Sequence, residues 1–433
     1  MSDTLFLSLP ASVEAEGLGV PNHFGSPLAE QRSLAEGNAV VSLSHRGIVT
    51  VSGPDRLTWL HSMTSQGLLG LEPGQSVETL LLDPQGRIEH VIRLVDDGER
   101  SWLLVDEGTS EALAAYLQRM RFAMRVEVND VSDDFAAMLA FAGGSALPAL
   151  RGLGLAVCEW VDPWSSVLPG GVQYAHAANS AHSADTSASA DATSASSAGS
   201  AVQAIHPGAG WSAVQLVFPR EHLAQVLALV SAGKISAAGL NSLEALEIRA
   251  WRPTQHAEVD ERALPHEFDW LRTAVHLNKG CYRGQETVAK VHNLGHPPRR
   301  LALLHLDGSD GELPAAGSLV FMAGTAHDEQ ARPVGRITRS ALHYEWGGIA
   351  LALLKRSTPE DAALEVRLGS SGDDESAGVE TRAGVATPAG VETPAGATST
   401  LPAHAHPTVA ASQEVIVPAD AGKTREIPRL RRL

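Results

Sequence analysis

The sequence predicts an α+β body running to about residue 296, with a small antiparallel β domain behind it. Two observations carry that prediction. Helical stripes alternate with short apolar runs up to His296, and after Pro297-Pro298 four strand-like runs follow, separated by Gly, Asp and Pro turns. The first stripe is Leu57, Leu60 and Met63, placed after Gly53-Pro54-Asp55. Residues 77–82 (VETLLL) and 87–95 (RIEHVIRLV) flank Asp83-Pro84-Gln85-Gly86. Pro at the second and Gly at the fourth turn position make this a hairpin signal. Residues 101–105 (SWLLV) read as the next strand. Ser110 is then expected to cap a helix carrying Leu113, Leu117 and Met120, followed by a strand over residues 125–128. Leu240, Leu243 and Leu246 mark a further helix. The late runs LALLHL, SLVFM, VGRITRS and IALALL are spaced for a barrel of their own.

Two stretches break this pattern. Of the 30 residues from 175 to 204, 12 are Ala and 8 are Ser, too little apolar surface to offset the entropy of ordering, so a disordered insertion is expected. From about Ser370 a six-residue repeat (AGVETR, AGVATP, AGVETP, AGATST) reads as a flexible tail. Within that tail EVIVPA (residues 414–419) is apolar enough to add a late strand, and the closing KTREIPRLRRL is basic and reads as a solvated end. Over 433 residues, 33 Lys+Arg against 50 Asp+Glu give a formal charge of −17, which argues against a general nucleic-acid binder. Cys158 and Cys281 are too few for a disulfide framework and fit a reducing compartment. The N-terminus lacks the basic start and apolar run of a signal peptide, and no stretch approaches about 18 uninterrupted apolar residues. A cytoplasmic protein without a membrane partner is expected.

The densest polar cluster is NKGCYRGQET, residues 278–287. Its two glycines, four apart, allow a turn and a close approach. Lys279 and Arg283 flank Cys281, and nearby cations favour the thiolate. Gln285 and Glu286 offer planar acceptors suited to amide- or pterin-like groups. A helix or strand entry with an incidental cysteine stands beside that reading, since free Cys is usually a small buried hydrophobe. Cys281, His292 and His296 make a poor zinc set, because structural zinc takes four ligands, so no metal is expected. A Cys/His nucleophile pair lacks an assignable orienting acid. His266 and His276 read as surface or satisfied core histidines, and Trp59, Trp251 and Trp270 as core or pocket wall. There is neither a phosphate loop nor a dinucleotide fingerprint.

KGCYRGQE, residues 279–286, resembles the signature of the YgfZ family of folate-binding proteins, relatives of the glycine-cleavage T-protein, an aminomethyltransferase. Three further stretches are similar to that superfamily in the same order: VSGPDRLTWLHSMTSQGL, LLLDPQGRIEHVIRLV and GLNSLEALEIRAWRPTQHAEVDERALPHE. Together they span roughly residues 40–356, interrupted by the Ala/Ser stretch. The resemblance implies a three-lobed ring of two α+β lobes and a C-terminal β-barrel, with tetrahydrofolate in the central hole. It divides the chain into a folate-binding lobe (1–174), the insertion (175–206), a second lobe with the motif (207–296), the barrel (297–360) and the tail (361–433). It also implies a role in making or repairing iron–sulfur clusters, with effects on tRNA modification through cluster-dependent enzymes. Iron–sulfur clients or assembly proteins would then be the partners. On that reading Cys281 is the reactive group and Lys279 and Arg283 supply positive charge. Gln285 and Glu286 shape the folate site, with Gly280, Tyr282 and Gly284 beside them.

The departures from the T-protein pattern are informative. Its hairpin carries an Asp-Asp pair after the Gly turn, where this chain has Glu89 and His90. A T-protein glutamate that grips the pterin falls on Arg249, and an arginine, having only donors, does not replace an acceptor. These changes point away from T-protein aminomethyl transfer and toward an accessory role. The alternative is a folate-dependent aminomethyl- or methyltransferase with Glu89 or His90 as proton acceptor, and a third reading is a plain folate-binding module in which Cys281 merely packs. A single motif cysteine argues against stable cluster ligation by this chain alone, since four ligands are usual.

Overall fold

The structure, a computed structural model, describes residues 4–175, 206–308, 311–328, 330–368 and 407–423. Apart from a short ribbon at Val13–Glu14 and Pro21–His23, the body strands are β1 (Ala39–Leu43), β2 (Gly47–Ser52), β3 (Ser76–Leu82), β4 (Ile88–Asp96), β5 (Arg100–Val105), β6 (Glu127–Asp130), β7 (Phe135–Phe141), β8 (Cys158–Val161), β9 (Ala213–Pro219) and β10 (Ser236–Ala237). They form two five-stranded sheets, one ordered β8-β9-β7-β1-β10 and the other β3-β4-β5-β2-β6. Four helices concern the site: α1 (Arg56–Met63), α2 (Ser110–Arg119), α3 (Leu240–Arg249) and α4 (Gln285–Leu294). The expected class therefore holds: an α+β body followed by a closed β-barrel.

Strand alternation builds the layers. On the second sheet Leu81, Ile92, Leu94, Leu103 and Val105 form one buried cluster with Leu60 of α1 and Leu113 and Leu117 of α2. Leu80, Val91 and Val95 point the other way, into a core shared with the first sheet, α3 and the barrel. Ser110 is the first residue of α2 and makes no capping bond; Thr109 precedes it, also without a side-chain cap. The strand expected over 125–128 lies two residues later, at β6, where Val128 pairs with Val51.

The lobes are interleaved and not consecutive. β9, after the Ala/Ser stretch, lies between β8 and β7, which precede it, and β10 pairs parallel with β1. A boundary at 174/207 would cut through one sheet, because antiparallel strands need not be neighbours of the same chain half. The insertion itself lies outside the described residues, on the connection between β8 and β9.

The tail also needs correction. The barrel is β11 (Arg299–Leu306), β12 (Leu319–Met322), β13 (Gly335–His343), β14 (Gly347–Lys355), β15 (Leu364–Arg367) and β16 (Thr408–Val415). It closes in the order β11-β14-β13-β12-β15-β16. Its last two strands lie in the stretch expected to be tail, because the first four alone would leave two open edges. EVIVPA contributes only the end of β16, while Ile416 and Val417 are buried in the shared core. The repeats fall outside the described residues.

Charged pairs fasten the barrel to the body. Arg339 Nη1 donates to Glu247 Oε2 (2.6 Å) and its Nε to Glu258 Oε1 (3.0 Å). Arg299 reaches Asp260 (2.6 Å) and Glu267 (2.8 Å), and Arg336 also reaches Asp260 (2.9 Å).

Candidate functional site

The predicted hairpin is β3–β4, and its turn is the platform for the motif. Gly86 N donates to Asp83 O (3.0 Å), and Gly86 sits at φ +78°, a left-handed value that glycine adopts without strain. The turn packs on the entry to α4. A Cβ on Gly86 would stand 2.8 Å from Thr287 Cβ, and one on Gly284 (φ +82°) would stand 2.6 Å from Asp83 O. Gly284 therefore makes the close approach expected of the motif glycines. Gly280 does not: a Cβ there would meet nothing within 4 Å.

Lys279 is turned inward. Its Nζ donates to the carbonyls of His61, Thr64 (2.6 Å) and Gln66 (2.9 Å), groups at and just beyond the C-terminus of α1. A lysine there satisfies carbonyls that the helix leaves without partners and meets the negative end of its dipole. Burial pushes the Lys279 ammonium down to about 8. The ring of Tyr282, itself buried, lies 5.0 Å from Nζ, and Gln285 Nε2 donates to Lys279 O (3.3 Å). Cys281 is exposed between them, and Glu286 is exposed in the first turn of α4.

Arg283 is likewise engaged. It meets Glu89 through two bonds (2.8 and 3.1 Å) and donates to Tyr116 Oη on α2 (2.9 Å). Glu89 is presented by a β-bulge: Leu81 pairs with His90 and Leu82 with Ile88, so Glu89 is the extra residue on β4. Bulges re-aim side chains out of a ladder, and here the bulge gives Glu89 to the motif loop. Gln255 brackets it, Oε1 accepting from Val91 N (2.6 Å) and Nε2 donating to Glu89 O (3.0 Å). Asp106 holds Gln255 N (2.9 Å) and is paired with Arg93 (2.8 Å). His90, opposite Leu81, is buried; burial lowers it to about 4, and its Nδ1 has no hydrogen-bond partner.

The structure thus joins Lys279, Tyr282, Arg283, Gly284, Gln285 and Glu89 in one contact network, with Cys281 and Glu286 on its surface. Arg249 stands apart. Its guanidinium lies over the ring of Trp346, on the β13–β14 hairpin of the barrel, 3.3 Å from the centroid. Sequence reasoning missed Tyr116, Gln255 and His61. Tyr116 follows Leu113 by three, on the predicted α2 face, but nothing local announces that its hydroxyl leaves the core. Gln255 and the carbonyl of His61 act through tertiary contacts without a local signal.

A pterin edge presents amino and ring N–H donors, which call for acceptors. The Glu89 carboxylate at the bulge is an acceptor of that kind, a third exposed although both its oxygens accept from Arg283, and so fits that edge of a reduced folate; His90 Nδ1 is sealed in the interior and does not face it. The two motif cations fit its acidic tail less well, since both already hold protein oxygens. Among the described residues no group of three or more His, Cys, Asp or Glu side chains is placed to hold a metal ion, and no helix is long and apolar enough to cross a membrane.

Two interleaved sheets, a closed C-terminal barrel and a glycine-bearing loop docked on a hairpin turn make up the fold of the glycine-cleavage T-protein. The comparisons agree. Residues 10–160 match the family model of the GCVT N-terminal domain, and the chain superposes on the crystal structure of glycine cleavage system aminomethyltransferase T from Bartonella henselae with a TM-score of 0.60. That match covers 83% of this chain and 90% of the other at 16% identity, a likeness of fold. Among curated relatives, an Arabidopsis thaliana protein named as a chloroplastic transferase is 26% identical over 66% of this chain and 61% of its own length. The mitochondrial iron-sulfur cluster assembly factor IBA57 homolog of Mycosarcoma maydis is 23% identical over 61% of this chain and 56% of its length. The chain therefore spans about three fifths of the plant and fungal relatives. An aminomethyltransferase of Thermus thermophilus is 26% identical over 82% of this chain and 90% of its own.

Proposed function

We propose that this chain is a cytosolic tetrahydrofolate-binding protein that supports assembly or repair of iron–sulfur proteins, and through them tRNA modification, with Cys281 as its reactive group. The observation that carries the reading is the contrast within KGCYRGQE: Lys279, Arg283 and Gln285 are engaged with protein groups, whereas the Cys281 thiol faces solvent. A buried, packed cysteine would serve the fold; an exposed one on a braced loop can meet a partner or a bound small molecule. Likeness to the fungal assembly factor supports this reading. Bound tetrahydrofolate supplies a carrier for one-carbon units. The chain's part is to hold the pterin edge at Glu89 and to keep the loop rigid through Lys279. Anaerobic calorimetry with tetrahydrofolate on the reduced protein tests the first half: micromolar binding is expected, and no binding at millimolar ligand refutes it. Cys281→Ser tests the second: folate binding is retained and iron–sulfur enzyme activity in cells is lost.

The end-to-end likeness to an aminomethyltransferase favours a second reading, folate-dependent aminomethyl or methyl transfer with Glu89 or His90 taking the proton. Against it, the Arg283 pair already neutralises Glu89. Turnover of a glycine-derived aminomethyl donor, abolished by Glu89→Gln, would establish it, and no turnover by the wild type would dispose of it.

A further inference from the structure

Helix α2 ends at Arg119, and the loop after it, residues 120–125 (MRFAMR), turns with Met124 N donating to Arg121 O (2.9 Å). Phe122 stands in this turn at φ +44°, a region that favours glycine and strains a bulky side chain. Phe122 is 82% exposed, the most exposed large hydrophobic residue among those described. Neither feature helps the chain fold. Covering the ring with another surface removes the cost of exposure and offsets the strain. Arg119 and Arg121 are exposed on either side and, among the described residues, have no carboxylate within ion-pair distance, whereas Arg125 is neutralised by Asp55 (2.6 Å). Met120 and Met124, two residues away on either side in sequence, are half-buried against the core beneath α2. Phe, Met and Arg together are the composition of protein interface cores. The loop is also tied to the motif: Tyr116, one turn earlier on α2, bonds Arg283, two residues from Cys281.

We propose that residues 120–125 form a docking surface for a protein partner, with Phe122 entering an apolar pocket and Arg119 and Arg121 facing carboxylates at its rim. Resting on the reading above, the partner is the iron–sulfur protein brought to Cys281. Two unpaired cations beside exposed Glu127 and Asp130, in a chain of net charge −17, do not make a nucleic-acid surface.

The test compares wild type, Phe122→Gly, Arg119→Glu/Arg121→Glu and Cys281→Ser in cells lacking the gene, reading the activity of a [4Fe–4S] hydratase. Phe122→Gly relieves the strained φ, so its Tm is expected to equal or exceed that of the wild type and its tetrahydrofolate binding to be unchanged. An aromatic anchor of this kind carries about thirtyfold in affinity, so hydratase activity should fall toward the Cys281→Ser level. A photocrosslinking residue at 122 should trap an acidic iron–sulfur protein, and the Glu double variant should lose that adduct. Full hydratase activity in Phe122→Gly while Cys281→Ser is inactive overturns the docking surface and leaves the iron–sulfur reading standing. Full activity in Cys281→Ser or in the deletion overturns both. A lowered Tm in Phe122→Gly, or a crosslink to RNA, assigns the loop to folding or to nucleic acid and overturns the proposal.

Discussion

The barrel joint and the motif loop are both organised by arginines, yet those arginines do different work. At the joint, Arg339 and Glu258 have side chains 7% and 0% exposed, and every oxygen of Glu258 is bonded, to Arg339, Thr338 and Thr254. In the motif loop, Arg283 and Glu89 are 29% and 35% exposed. Water screens the second pair and not the first, so the first is tied to the integrity of the fold and the second is free to serve the site. Sequence alone ranks these residues the other way, because the motif arginine sits in a recognisable string and Arg339 lies in an unremarkable strand.

The sharpest way to break the comparison is to remove Arg339. Arg339→Leu leaves Glu258 buried without its cation and Glu247 with only the longer Arg46 contact (4.0 Å), and a loss of about 3–5 kcal/mol in denaturant unfolding is expected. A loss under about 1 kcal/mol would mean that the joint is no more structural than the surface pair. Lys279 comes next. Lys279→Met removes one donor group from three carbonyls near the end of α1, with an expected cost of about 2 kcal/mol. A motif lysine whose loss cost nothing in stability would instead belong with Arg283, as a group reserved for a ligand.

How much of this was legible depends on range. The β3–β4 hairpin was readable because Asp83-Pro84-Gln85-Gly86 states its turn locally. So were α1, α2 and α3, whose stripes bury Leu60, Leu113, Leu117, Leu243 and Leu246 and leave Leu57, Met63, Met120 and Leu240 half-buried. Strand β16 was obscured because its inward residues, Val409 and Ala411, are small, and because the repeats separate it from β15. The interleaving of the sheets depends on β9 returning between β7 and β8, which no local pattern encodes. At the site, the motif announced which residues gather but not which way they face. Lys279 and Arg283, read as the positive charge of the site, are held by the carbonyls of His61, Thr64 and Gln66 and by the Glu89 carboxylate. Arg249, at the position of the T-protein's pterin-gripping glutamate, lies over Trp346.

Proton linkage sharpens the contrast further. His90 is neutral and buried in the folded state, with a pKa of about 4 against 6.5 for an ordinary histidine. Between those values the unfolded chain binds more protons, so stability falls as pH drops through 6.5 toward 4. At pH 5 the loss is about 2 kcal/mol for this one group. His90→Asn is therefore expected to shrink the difference in unfolding free energy between pH 7 and pH 5 by about that amount. An unchanged difference would mean that His90 is not held buried and neutral behind the bulge.

The smallest expected effect on stability carries the most information about the site. Arg283→Gln and Glu89→Gln should each change unfolding free energy by less than about 1 kcal/mol, because the pair is a third exposed. If the bulge presents Glu89 to a folate and Arg283 only holds it there, the two substitutions act on one element. Each should weaken tetrahydrofolate by a similar factor, and the double variant should be no worse than Glu89→Gln alone, a coupling of about 1 kcal/mol or more between contacting residues. Additive losses would mean that Arg283 touches the ligand in its own right, through the acidic tail. Full affinity in both singles would leave Glu89 and Arg283 as a surface pair on a bulge, and the difference between joint and loop would then be one of exposure alone.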